Sequence, residues 1–106
     1  NLLYVTDAVD ACTKAALSPR PLADVYNVGG FESTVMDLAQ SVVRRLPRAD
    51  IAVGPGGKSP WPTAIDCRAA DRDFGYRSRY GRDLAVEDYL AALGCSPAPA
   101  TLTGIR

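Results

Sequence analysis

The chain has 106 residues, its 12 Lys+Arg balance its 12 Asp+Glu, and it contains no histidine. That length holds one core rather than two, and the 47% hydrophobic content argues against wholesale disorder. Zero net charge offers little counterion release to drive non-specific nucleic-acid binding, and the missing histidine excludes Ser-His-Asp, Cys-His and His-ligated zinc chemistry within the chain.

The first apolar run, Leu2-Leu3-Tyr4-Val5, reads as a strand. Because it follows Asn1 directly, the chain reads as the continuation of an upstream segment. Thr6 and Asp7 supply N-cap chemistry, with Asp10 in the first turn. Val9, Cys12, Ala16 and Leu17 recur at helical spacing, which predicts a helix over 7–17 that stops at Ser18-Pro19. Asp24-Val25-Tyr26-Asn27-Val28 reads as a second strand, ended by Gly29-Gly30. A second helix follows: Thr34 and Asp37 form a capping box, and Val35, Leu38, Ala39, Val42, Val43 and Leu46 make one apolar stripe. Arg44 and Arg45 suit its last turn, and Pro47 stops it.

Ile51-Ala52-Val53 reads as a third strand, followed by a loop rich in Gly and Pro over 54–62. Asp66 is expected to cap a short helix through Phe74, with Gly75 as its left-handed C-cap. The last helix begins near Asp83, buries Val86, Tyr89, Leu90 and Leu93, and ends at Gly94. Residues 95–106 have no period and read as a flexible tail. The order β-α-β-α-β-α-α predicts an α/β class.

Cys12, Cys67 and Cys95 are widely spaced without a C-x-x-C, so no disulfide framework or metal site is expected. Cys12 and Cys67 read as buried small hydrophobes in a reduced, cytoplasmic protein. No run approaches the ~20 apolar residues of a membrane span, and no charged-then-apolar segment like that of a signal peptide heads the sequence.

Four stretches bear on chemistry. Ala52 to Ser59 matches a relaxed phosphate-binding P-loop, but Pro60 and Pro62 forbid the helix that such a loop must open, so it is rejected. Val28-Gly29-Gly30-Phe31 reads as a tight turn that needs positive φ at one glycine, rather than as an anion cradle. Arg68, Arg72, Arg77, Arg79 and Arg82 alternate with Asp66, Asp71, Asp73 and Asp83, a balance that predicts an ion-paired face and no nucleic-acid site. Lys58 and Trp61, on the Pro-rich loop, are the candidate substrate-binding residues, with Trp61 alternatively a plug over the core.

Several of these pieces, in this order, resemble the C-terminal portion of the extended short-chain dehydrogenase/reductase family, the NAD-dependent epimerases and dehydratases. Leu3 to Ala11 resembles the family's Tyr-Val-x-Asp-Val-Ala-x-Ala step. Val25-Tyr26-Asn27-Val28-Gly29-Gly30 resembles its Tyr-Asn-x-Gly-x-Gly turn, and the Thr34-Val35-Met36-Asp37-Leu38-Ala39 helix follows. Asp66 to Tyr76 is similar to its Asp-x-Ser-x-Ala-Arg helix, and the final helix fits as well. The likeness covers residues 2 to about 94.

The resemblance implies the last parallel strand and helix of a Rossmann-type sheet plus a small substrate-binding lobe over 1–94. It also implies an upstream Rossmann domain that holds NAD or NADP, a small-molecule substrate and a homodimer. The family's glycine-rich loop and catalytic Tyr-x-x-x-Lys do not occur here, since no tyrosine is followed four residues later by lysine. No catalytic residue is therefore assigned, and no cofactor is bound by this segment alone. Lys58 to Pro62 stands where many sugar-nucleotide members carry an arginine. Its Trp-Pro is similar to the threonine-dehydrogenase-like branch, which takes an amino acid. The expected function is substrate binding, for a sugar nucleotide or small hydroxy compound, within an NAD(P)-dependent enzyme. A catalytically silent binding or regulatory module with the same lobe is the alternative.

Overall fold

Helix formation in this chain follows local signals, while strand formation does not follow the apolar runs. The computed structural model describes residues 1–95, and the predicted tail lies outside them except for Cys95. Four helices are formed in this range: α1 (Val5–Ala16), α2 (Val35–Arg45), α3 (Arg68–Phe74) and α4 (Arg82–Ala92). The described residues contain no sheet, so the expected α/β class, with its last parallel strand, is incorrect and the fold is mostly helical.

The three predicted strands fail for one physical reason. A strand is stabilised by its ladder, and alternating burial alone does not supply a partner. Leu2 exchanges both backbone hydrogen bonds with Phe31, each 2.8 Å, in a single antiparallel bridge. Val5, placed in that strand by its β-propensity, instead opens α1. In residues 24–28, Tyr26 and Val28 pack against the core while Val25 and Asn27 face solvent. The alternation is real, but it marks one-sided burial of an irregular segment. Ile51 forms no more than an isolated bridge.

The residues divide into two compact units: Asn1–Glu32 with Pro60–Gly81, and Ser33–Ser59 with Arg82–Arg106. In the first, Ala11, Ala70 and Tyr76 form a buried cluster with Tyr26, Val28, Cys67 and Phe74 packed around it. Phe74 meets the Tyr26 ring edge-on, with centroids 5.0 Å apart. α1 presents Asp7 and Ala11 inward, and the stripe expected to be buried faces out, with Val9 58% and Leu17 77% exposed. Cys12 lies on the exposed side rather than in the core, and Cys67 is half-buried. The helix selected its more polar face because Asp7 has buried partners, and small Ala11 allows close packing.

α3 ends as expected, with Gly75 left-handed at φ 74° and its amide donating to the Asp71 carbonyl at 2.9 Å. The N-cap position is Cys67, yet Asp66 still serves the helix start, because its Oδ1 accepts from the Arg68 amide at 3.0 Å.

In the second unit α2 packs on α4, burying Ala39 and Val43 on one helix and Ala85, Val86 and Leu90 on the other. Burial of each large aliphatic contributes roughly 1.5–3 kcal/mol. Tyr89 and Leu93, expected in that face, are more than half exposed. Between the helices, the buried Ser41 hydroxyl donates to Asp83 Oδ1 at 2.6 Å, and Arg45 Nη1 donates to the Ser41 carbonyl and Oγ, both at 3.2 Å. The Ser41 hydrogen bond, followed by the positive field of Arg45, Arg82 and Arg44, holds the Asp83 carboxyl below the usual range.

Thr34 caps α2 as expected, with the Asp37 amide donating to Thr34 Oγ1 at 3.0 Å, which is the Thr34 half of the expected capping box. Thr34→Ala is expected to lower stability by about 1 kcal/mol, read as a shifted urea midpoint. Thr34→Ser restores the acceptor and should recover most of that loss.

Candidate functional site

In the first unit, segments far apart in sequence converge on Gly29-Gly30, where the expected tight turn is not formed. The Gly29 amide donates to Cys67 Sγ at 3.1 Å, and the Gly29 carbonyl accepts from the buried Tyr76 hydroxyl at 2.5 Å. The Gly30 amide donates to Asn1 Oδ1 at 2.9 Å. Neither glycine has a positive φ, which corrects the expectation that backbone handedness requires them. They are required for space: a Cβ on Gly29 would lie 2.8 Å from Ile65 Cβ, and one on Gly30 would strike the Leu2 carbonyl. With both amides engaged and both flanks filled, Gly29-Gly30 offers no cradle for a dinucleotide phosphate, so the residues here do not fit an NAD site.

Asp7 is the second tie. Its sequence position predicts a helix cap, but α1 begins at Val5 after the extended Tyr4, without a side-chain cap. The Asp7 side chain is fully buried and accepts from Ser78 Oγ (3.0 Å), from the Arg79 amide (3.1 and 3.2 Å to its two oxygens) and from the Tyr80 amide (3.1 Å). It thereby fastens α1 to the chain that follows α3. Nothing local in the sequence marks this role, because the partners lie 71–73 residues away.

Beside these ties lies an open cleft of about 400 Å³, walled by Ile65–Arg68, Asp71 and Tyr76–Ser78. Arg68 grips Asp66 through Nε and Nη2 at 2.7–3.1 Å, and Arg77 Nε contacts both oxygens of Asp71 at 3.0 and 3.2 Å. The Arg68 side-chain and backbone hydrogen bonds lower the Asp66 pKa to about 2, so it remains a carboxylate and supplies no acid. Burial, ahead of the nearby Asp7 charge, pushes the Tyr76 hydroxyl upward and keeps it a donor to the Gly29 carbonyl. The cleft thus offers guanidinium forks that a carboxylate or phosphate could share with their aspartates.

The other arginines of this stretch are also beside carboxylates, as the charge alternation predicts. Arg72 reaches Asp73 at 2.7 Å, Arg79 lies 3.9 Å from Asp10, and Arg82 lies 3.8 Å from Asp37. Asp73 also accepts from the Tyr26 hydroxyl at 2.6 Å, and that oxygen accepts from the Ala23 amide at 2.9 Å. The Arg72 contact first, then Tyr26, lowers the Asp73 pKa from 3.8 to about 2. A depressed carboxyl stabilises the fold above its unfolded value and loses that contribution as pH falls from about 3.8 towards 2. In Arg72→Gln the NMR-detected Asp73 midpoint is expected to rise towards 3.8, narrowing that acid window. An unmoved midpoint would assign the depression elsewhere.

The two residues named from sequence behave differently. Lys58 is exposed, at the end of a run in the second unit where the sites of Gly54, Gly56 and Gly57 are open. Residues 54–59 form no helix, in keeping with rejection of the P-loop. Trp61 belongs to the first unit and is 76% exposed, so it is no plug over the core, and it is not part of the cleft wall. Sequence reasoning missed Arg68 and Arg77 as cleft residues; their only signal was the Arg/Asp alternation.

No protein-family model matches the chain, and neither a curated protein nor a solved structure matches it. Among the described residues no group of three or more His, Cys, Asp or Glu is placed to hold a metal ion. No described helix is long and apolar enough to cross a membrane.

Proposed function

We propose that this chain is the substrate-facing C-terminal portion of an NAD(P)-dependent epimerase, dehydratase or dehydrogenase acting on a sugar nucleotide or small hydroxy compound. The observation that carries this reading is the convergence of the three segments that resemble that family. Asp7 of the first holds Ser78–Tyr80, just beyond the third, while Gly29 of the second is bonded to Cys67 and Tyr76 of the third. Sequence likeness alone would not require those segments to touch.

In this reading an upstream domain would hold NAD or NADP, which would supply the hydride chemistry. The present chain contributes substrate contacts, with Lys58 offering a cation and Trp61 an exposed aromatic face. The three free thiols suit a reducing, cytoplasmic setting, and a homodimer of the parent enzyme accompanies the family assignment. A silent binding module is favoured instead by one feature, the lack of any Tyr-x-x-x-Lys in the chain.

The test is the intact mass and upstream sequence of the natural protein, followed by an assay for NAD(P) reduction with amino-acid and sugar-nucleotide substrates. A mass well above 11.3 kDa, with the glycine-rich loop, Tyr-x-x-x-Lys and turnover, is the expected result. A mass of 11.3 kDa, or a longer chain lacking those motifs, overturns the enzyme reading.

A further inference from the structure

We draw no further inference here: the strongest candidate, the exposed apolar stripe of Val5, Val9, Cys12 and Ala16 along α1, carries nothing because nothing in the structure shows what covers it.

Discussion

Asp7→Ala is expected to destabilise the protein by about 3 kcal/mol, the largest loss from any single polar side chain in the first unit. The carboxylate is fully buried and satisfies a hydroxyl and two backbone amides. Its removal leaves those donors without an acceptor and opens a link spanning more than 70 residues of chain. Chain closure of that length has already been offset in the folded state, so the loss falls on the native side. Asp7→Asn keeps one oxygen and should fall between the two. Urea unfolding gives the magnitude, and amide exchange at Arg79 and Tyr80 gives the location. Normal protection of both amides in Asp7→Ala would show that the carboxylate does not hold them.

Gly30→Ala should cost about 2–3 kcal/mol by overpacking against main chain rather than against a yielding side chain. The added Cβ meets the Leu2 carbonyl, the same atom that accepts from the Phe31 amide. Relief of the collision therefore requires the Leu2–Phe31 bridge to open. Gly56→Ala is the matched control, because a Cβ there meets nothing within 4 Å. It is expected to leave stability within ~0.5 kcal/mol of the parent, as surface substitutions away from special features do. Equal urea midpoints for the two variants would refute the steric account of Gly30.

The candidate site was less legible than the helices, for reasons that differ by residue. Lys58 and Trp61 stood out because an aromatic and a cation on a Pro-rich loop are locally conspicuous, and both are indeed exposed. Arg68 and Arg77 sat within a charge alternation that any solvated helix face can show. Only their common position on the cleft distinguishes them. Tyr76 reads as one of several interleaved aromatics, yet it is 1% exposed, and its hydroxyl donates to the Gly29 carbonyl.

Apart from the start of α1, where the expected Asp7 cap is absent, helix placement needed little beyond neighbours three or four positions away. Thr34 with Asp37, the apolar spacing through Val43, and Pro47 delimit α2, while Gly75 and Gly94 adopt positive φ close to where their helices end. Such signals act within a turn or two, so the amino-acid order alone was sufficient. Strands and buried faces were decided by contacts between distant segments. Leu2, Tyr26 and Val28 carried strand-like patterns, but a ladder needs a partner at the right distance and register, and only Leu2 gained one bridge, with Phe31. Likewise α1 turned Asp7 inward and Val9 outward, and the cost of burying that carboxylate is offset by hydrogen bonds from partners more than 70 residues away.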